Sequence, residues 1–143
     1  MESFENIVSY PVSTLDKHAC IRHILRLMES GGKGSYFVCA NPHSIETATH
    51  DTLFDASIRN ADLVVPDGAG IVIASKILNG NIRHRVTGTD IFTGLCQALN
   101  CLSGFSMFFL GSSDENLEKI REKITREFPN IRVAGTLSPP FKP

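Results

Sequence analysis

Short apolar runs alternate with amphipathic segments along this chain. Four of the runs have the length of buried strands: residues 35–40, 62–65, 105–110 and 131–135. Each run is bounded by glycine, proline or polar residues, which is typical of strands that are covered on both faces of a parallel sheet.

The segments between these runs carry apolar residues at three- and four-residue spacing, which predicts helices. We expect helices over about residues 14–31, from residue 42 onward, and over 71–78, 88–102 and 113–128. Strands that alternate with helices are typical of βαβ units. The pattern therefore predicts an α/β fold, a parallel sheet with helices on both faces.

Capping signals mark two of the helix starts. Ser13 with Asp16, and Thr87 with Asp90, have the spacing of a capping box, in which the first side chain caps the helix and the second returns a hydrogen bond. The glycines at 31–32 are expected to end the first helix.

One stretch has the length of a membrane span, because residues 91–113 contain no charged side chain. Its glycines and polar side chains would be costly in lipid, and Ser103-Gly104 breaks it in the middle. We therefore expect a helix followed by a strand in this stretch, and no membrane span.

Composition narrows the class of protein. The chain has 143 residues, the size of one domain, with 14 Lys and Arg against 15 Asp and Glu and a net charge of −1. This balance is not that of a dedicated nucleic-acid binder, so no nucleic-acid partner is expected. The acidic first five residues do not resemble a signal peptide, which predicts a cytoplasmic protein.

Cysteine and histidine spacing gives no metal pattern. The four cysteines have no zinc-site spacing, and neither do the five histidines. We expect buried, reduced thiols, no metal site and no cofactor. The cysteines are Cys20, Cys39, Cys96 and Cys101.

The turns that follow the predicted strands are the candidate sites. Ligands of open α/β sheets bind beyond the carboxyl ends of the strands, and helix starts there offer free N–H groups to phosphates. The turns are residues 41–43, where Asn41 can cap and Pro42 can begin a helix, 66–70, and 111–113. No Walker A or GxGxxG motif is present, which argues against kinases, GTPases and ordinary NAD enzymes.

Asp67 is the most informative carboxylate. It lies among glycines, and residues 68–89 contain no acid but do contain Lys76, Arg83, His84 and Arg85. A carboxylate beside cations fits a general base that faces an anionic substrate.

Simpler interpretations of the same residues stay open. Asp67 could merely cap the next helix, and Asp90 could serve only its capping box. Arg83 and Arg85 could be a solvated surface pair, and the histidines at positions 43 and 84 could be exposed polar residues.

Four motifs carry a family resemblance. CANPH at 39–43, ADLVVPDGAG at 61–70, RVTGTD at 85–90 and FLG at 109–111 occur in one order. In their order and spacing they resemble the WecG/TagA/CpsF family of bacterial glycosyltransferases, over nearly the whole chain. The resemblance implies a Rossmann-like fold.

The resemblance also implies an activity. Members transfer a sugar, often of the N-acetylmannosamine type, from a UDP-sugar to a lipid-diphosphate-linked sugar, for cell-envelope polysaccharides and with inversion. It implies that Asp67 is the base and that Arg85 binds diphosphate. The remaining substrate-binding positions that it implies are Asn41, Gly68, Gly88, Asp90 and Gly111.

The chain departs from the family in two ways. Members often carry threonine where this chain has Cys39, and they continue for about another hundred residues, the size of a further half-domain. We therefore expect residues 1–143 to be a single domain that is truncated and whose sheet is incomplete at its C-terminus. An uncovered strand edge after residues 131–134 predicts self-association or poor stability.

Because of these departures, membrane contact is expected only in part, and alternative functions stay open. Peripheral contact with the inner face of the membrane is expected only of a full-length form. The alternatives are a non-catalytic module that binds a nucleotide-sugar, an inactive fragment, and an NAD-dependent half-domain, which the missing GxGxxG disfavours.

Overall fold

A computed structural model describes residues 3–31 and 34–140. These residues form six helices and six strands, and the chain divides into two compact units, Met1–Phe92 and Thr93–Pro143. Gly32, which was expected to help end the first helix, and the last three residues of the proline-rich tail lie outside the described residues.

The first unit begins with an antiparallel hairpin that the apolar pattern did not predict. Strands β1 (Phe4–Ile7) and β2 (Tyr10–Ser13) pair directly, with Ile7 opposite Tyr10. The turn between them is made by Val8 and Ser9 at φ of 47° and 72°. The two positive φ angles of a tight hairpin turn are therefore present without the glycine or asparagine that usually occupies such positions.

Helix α1 (Lys17–Glu29) starts later than the predicted capping box. Ser13 is the last residue of β2, where its hydroxyl accepts from the Leu15 amide, so the prediction that it caps this helix was wrong. Asp16 is the N-cap, and its Oδ1 accepts from the Ala19 amide at 2.8 Å. Because strand pairing holds Ser13 in β2, the cap moves three residues along the chain.

Strands β3 (Phe37–Ala40) and β4 (Leu63–Pro66) form the parallel pair of the first unit, with Ala40 opposite Pro66. Two helices connect them, α2 (Pro42–Ala48) and α3 (Thr52–Arg59). Helix α2 begins as predicted, with Asn41 as N-cap and Pro42 in its first turn.

The core of the first unit joins the hairpin, the parallel pair and the helices. It is composed of aliphatic side chains and one tyrosine, and it contains Ile7, Tyr10, Val12, Ala40, Ile45, Ala48, Ile58, Val64, Ile71 and Ile82. Burial of these apolar side chains is the main stabilising contribution in the unit.

Helix α4 (Ala69–Ile77) follows β4, and helix α5 (Gly88–Asn100) starts after a loop that returns to the same strand. The return is fixed by the Val86 amide, which donates to the Pro66 carbonyl at 2.9 Å. Helix α4 lies so close to α2 that a Cβ on Gly70 would be 2.5 Å from Cγ of Pro42.

The second unit contains a second parallel pair. Strands β5 (Ser106–Leu110) and β6 (Arg132–Leu137) are joined by helix α6 (Asp114–Glu127), which packs on β6. The uncharged stretch 91–113 forms the end of α5, a break and β5, as predicted. Among the helices in the described residues, none has the length and apolar character needed to cross a bilayer.

The predicted fold class is confirmed. All four predicted strands are present, and they form two parallel pairs connected through helices, as a Rossmann-like α/β fold requires. The additions are the antiparallel hairpin and the helix α3.

A polar network fastens the hairpin to α3. The Tyr10 hydroxyl donates to Oδ1 of Asp55 at 2.7 Å, and Nε of Arg59 donates to both oxygens of Asp55 at 3.0 Å. The Arg59 guanidinium also lies over the Tyr10 ring and donates to the Ser9 carbonyl. The Arg59 hydrogen bond, and next the one from Tyr10, hold the pKa of Asp55 below its usual value.

We predict that Asp55→Asn destabilises the chain at neutral pH and much less in acid. A carboxyl whose pKa is lower in the folded state stabilises above its unfolded pKa, and that stabilisation is lost as pH falls through the folded pKa. Thermal unfolding at pH 7 should show a midpoint about 2–5 °C below that of the original chain. The difference should shrink at pH 3.

Glu115→Gln is the matched control, because Glu115 also forms an i,i+4 ion pair, with Lys119, on an exposed helix. It should change the midpoint little at either pH. A deficit of Asp55→Asn that is equal at both pH values would contradict the assigned role of the carboxylate.

We predict that Gly70→Ala destabilises the first unit. Alanine normally stabilises an ordinary helix position relative to glycine. Here the added Cβ would overlap Pro42, so urea unfolding should show a loss of about 1–3 kcal/mol. Ala69→Ser, at an exposed position of the same turn, should be nearly neutral, and a gain of stability in Gly70→Ala would refute the close approach.

Candidate functional site

The ends of β3 and β4 bring two of the predicted site residues together. Ala40 and Pro66 are register partners, so Asn41 and Asp67 are the next residues on neighbouring strands. The Asp67 amide donates to the Ala40 carbonyl at 2.8 Å, which continues the pairing by one bond. A Cβ on Gly68 would lie 3.6 Å from Cβ of Asn41. Asn41, Asp67 and Gly68 therefore form one cluster.

Gly88 joins this cluster from the start of α5. Its amide donates to Oδ2 of Asp67 at 3.5 Å. A Cβ on Gly88 would lie 3.3 Å from Sγ of Cys39, so the thiol occupies the space beside this glycine. Three segments that are distant in sequence thus meet around the Asp67 carboxylate.

Asp67 does not cap the helix that follows it. The N-cap of α4 is Gly68, at φ of +121°, a conformation that favours glycine, and no side chain caps this helix. Within residues 3–31 and 34–140, no lysine, arginine or histidine forms an ion pair with Asp67. The simple capping interpretation is therefore wrong, and the carboxylate instead accepts from the Gly88 amide at the start of α5.

Asp90 is occupied by the start of α5. Its Oδ2 accepts from both the amide and the hydroxyl of Thr87, and its amide donates back to that hydroxyl. The predicted capping box is therefore confirmed. Oδ1 lies 3.6 Å from Nζ of Lys17. The Thr87 hydroxyl, then the Thr87 amide and Lys17 hold the pKa of Asp90 below its usual value.

The arginines of the loop between α4 and α5 (residues 78–87, the return loop) are exposed. Arg83, His84 and Arg85 all face solvent, as does His43. Arg85 immediately precedes Val86, whose amide is bonded to the end of β4. The backbone at Arg85 is thereby held close to the strand end that carries Asp67. Arg83 lies two residues further from this anchor.

Asn41 caps helix α2 with its side-chain oxygen and leaves its side-chain nitrogen available. Its Oδ1 accepts from the Ser44 backbone amide, and its own backbone amide donates to the Ser44 hydroxyl, which completes a capping box. Its Nδ2 has no acceptor in the described part of the chain, so it can still donate to a ligand. Gly111 belongs to the second unit, where it follows β5 at φ of +114° and donates to the Leu137 carbonyl.

The cysteines differ in their surroundings, although all four are free. Burial raises the pKa of Cys20 to about 11 and also raises that of Cys96. Cys39 is half-buried and Cys101 exposed, so the expectation of buried thiols holds fully for two of the four. In the described ranges, no group of three or more His, Cys, Asp or Glu side chains could hold a metal ion.

A cleft of the first unit lies away from these residues. A cavity of about 760 Å³ runs along β1 and is lined by residues that include Glu5, Thr14 and Asn81. None of the predicted site residues lines it. The Asp67 cluster lies beyond the carboxyl ends of two parallel strands, the usual place for ligand sites of α/β sheets.

Lys17 is the residue near the cluster that sequence analysis missed. No local motif announces it, because it lies at the start of α1 and meets Asp90 only through the fold.

The chain is similar to one protein family and to several proteins of known name. The family described as "Glycosyl transferase WecG/TagA/CpsF family" matches residues 5–143. A protein of Bacillus spizizenii is 30% identical over 115 residues, which are 80% of this chain and 44% of that protein. A protein of Bacillus subtilis is 26% identical over 130 residues, 91% of this chain and 46% of that protein.

A protein of Staphylococcus aureus is 29% identical over 99 residues, 69% of this chain and 39% of that protein. All three are named N-acetylglucosaminyldiphosphoundecaprenol N-acetyl-beta-D-mannosaminyltransferase. The chain spans less than half the length of these curated relatives. The family match covers nearly all of the chain, and three of the four motifs contribute residues to the Asp67 cluster. The chain belongs to the WecG/TagA/CpsF glycosyltransferase family.

Proposed function

We propose that this chain carries the base and part of the donor site of a glycosyltransferase. The enzyme moves an N-acetylmannosamine-type sugar from a UDP-sugar to a polyprenyl-diphosphate-linked sugar, with inversion, for synthesis of a cell-envelope polysaccharide. Membership of the family and the names of the relatives support the reaction class. The observation that carries the proposal is the Asp67 carboxylate just beyond β4, which caps no helix, forms no ion pair within the described residues and accepts from the Gly88 amide.

In the proposed reaction, Asp67 takes the proton of the acceptor hydroxyl. The oxygen attacks the anomeric carbon of the donor from the face opposite UDP, and a new carbon–oxygen bond forms. The bond from that carbon to the diphosphate oxygen breaks, and UDP leaves with the electron pair. Attack from the opposite face inverts the anomeric configuration, and a positioned base is the group that this step needs.

The departing diphosphate needs positive charge and hydrogen-bond donors. The start of α4 has no side-chain cap, so the backbone amides from Gly68 to Gly70 have no acceptor within the described residues. Amides at a helix start favour an anion through direct bonds and through the helix dipole. In our proposal Arg85 reaches the same anion, and Nδ2 of Asn41 donates to it or to the sugar.

Gly88 and Asp90 act through the shape of the site. Gly88 allows the start of α5 to approach Cys39 and Asp67. Asp90 fixes that start through Thr87 and Lys17. Gly111 is proposed as a substrate contact from the family match alone, since it follows a strand of the second unit.

A transfer assay tests the proposal. The purified chain is incubated with UDP-N-acetylmannosamine and a short-chain prenyl diphosphate that carries N-acetylglucosamine. UDP release is followed, and the linkage of the product is determined by NMR. A disaccharide of inverted anomeric configuration supports the proposal. Nucleotide binding without transfer indicates a binding module instead, and absence of both overturns the proposal.

We predict that Asp67→Asn removes transfer but not donor binding. The amide keeps the size of the side chain and cannot take the proton. Turnover should fall by about 10²–10⁴-fold, the usual contribution of a general base. The Kd for UDP, measured by calorimetry, should change little, and near-normal turnover would show that Asp67 is not the base.

We also predict that Arg85, but not Arg83, contacts the diphosphate. Arg85 lies beside the anchored Val86, whereas Arg83 is further from the strand end. Arg85→Ala should weaken UDP binding about tenfold or more, because it removes a charge-assisted contact. Arg83→Ala is the matched control and should bind nearly as the original chain does; equal losses would indicate a diffuse basic surface.

A further inference from the structure

The carboxylate of Glu5 joins the hairpin to the return loop. Glu5 is on β1, opposite Val12 of β2, and its Oε2 accepts from the backbone amide of Asn81. The two residues are 76 positions apart, so the bond connects distant segments of the first unit. An ionised acceptor makes such a bond stronger than one between neutral groups.

Gly80 allows the carboxylate to come this close to the loop. A Cβ on Gly80 would overlap Oε1 of Glu5 and would lie 2.6 Å from its carboxyl carbon. The φ of Gly80 is in the range of ordinary residues, so glycine is needed here for space and not for backbone conformation. Oε1 is buried and has no hydrogen-bond partner within the described residues. Because a buried oxygen without a partner costs free energy, stability alone does not account for this contact.

The return loop is held on both sides of its cationic segment, residues 83–85. Before the segment, the Gly80 amide donates to the Ser75 carbonyl at 2.7 Å, and the Ile82 amide donates to the Ser75 hydroxyl at 3.1 Å. After it, the Val86 amide is bonded to the end of β4. Ile82 and Val86 are buried, whereas residues 83–85 are exposed. The anchors at the two ends therefore determine where the cations lie.

We propose that Glu5 is a positioning residue, whose carboxylate holds the return loop against the hairpin and thereby places Arg85 at the diphosphate. This role rests on the proposed contact between Arg85 and the diphosphate. Ser75 belongs to α4, so its two bonds fix the loop to its own helix. Glu5 fixes the loop to the hairpin, whose strand β2 packs on β4. Without this anchor the loop samples arrangements in which Arg85 is out of reach, and the apparent Kd rises as the competent fraction falls.

Limited digestion with trypsin measures the anchor without any nucleotide. Cleavage after Arg83 requires the loop to open, and its initial rate is followed by mass spectrometry under native conditions. Glu5→Ala should raise this rate about three- to tenfold, the contribution expected of one hydrogen bond. Cleavage after Lys119, in helix α6 of the second unit, is the internal standard and should stay unchanged. An unchanged rate after Arg83 would overturn the proposal.

Gly80→Ala separates the contact from the charge. The added Cβ takes the place of the carboxylate and leaves its charge in the chain, so cleavage after Arg83 should accelerate as it does in Glu5→Ala. The double variant should be cleaved no faster than either single variant, because both remove one and the same contact. Accelerations that multiply in the double variant would contradict the contact.

Two further variants are controls for the loss of the charge itself. Glu5→Gln keeps an oxygen that can accept from Asn81 and should be cleaved within about twofold of the original rate. Glu46→Ala is the matched control, since it removes a carboxylate from the exposed face of α2, and it should leave the rate unchanged. If Glu5→Ala also accelerates cleavage after Lys119, that variant has opened the fold, and Gly80→Ala decides by the same criterion.

Calorimetry with UDP then tests the positioning of Arg85. Glu5→Ala should raise the Kd for UDP about three- to tenfold. In an Arg85→Ala background the same change should have no further effect, because the side chain that the anchor positions is absent. Equal losses in both backgrounds would overturn the positioning role, and so would tighter binding, the result expected if Glu5 acts only through its charge. If Arg85→Ala alone leaves the Kd unchanged, the proposed function of Arg85 fails, while cleavage after Arg83 still decides whether Glu5 anchors the loop.

Discussion

The approach of α4 to α2 is the constraint on which the candidate site depends. A Cβ on Gly70 would overlap Pro42, so the two helices can approach this closely only with glycine at that position. Gly68 is required for a different reason, its φ of +121°. Because β3 and β4 end in register, two helix starts must share the small space beyond them. The glycine at position 70 makes that possible, and the Asp67 carboxylate accepts from the Gly88 amide at the start of α5.

The rest of the site is built outward from this contact. The return loop ends on the Pro66 carbonyl and delivers the start of α5 beside Asp67. Lys17 and Thr87 then hold Asp90, which keeps α5 in place. The site thus consists of three helix starts gathered at two strand ends, and its polar groups serve mainly to fix backbone positions.

The sequence predicted the elements whose signals are local. The four apolar runs became strands, and the caps at Asn41 and Thr87 are present because each bonds only to its own turn. The hairpin was missed because its turn uses Val8 and Ser9, side chains that rarely take positive φ. Helix α3 was missed although its apolar residues lie on one side and Asp51 caps its start, because the helix expected from residue 42 onward was given no end.

For the candidate site, motifs predicted the neighbours along the chain but not the partners across it. The adjacency of Asn41 and Asp67 follows from the parallel pairing of β3 and β4. The bond from Gly88 to Asp67 and the ion pair from Lys17 to Asp90 depend on how loops return, which no spacing encodes. The displacement of the cap from Ser13 to Asp16 has the same origin, since strand pairing outcompetes a local signal.

The proline that ends β4 limits which backbone N–H groups of this turn can reach a ligand. Pro66 has no N–H group, and the amide of Asp67 already donates to the Ala40 carbonyl. The first amide that can reach a ligand is therefore that of Gly68, one residue beyond the carboxylate. Negative charge is presented first and hydrogen-bond donors only afterwards along the same short segment. An incoming hydroxyl and a departing anion would accordingly be received by different, consecutive residues of one turn.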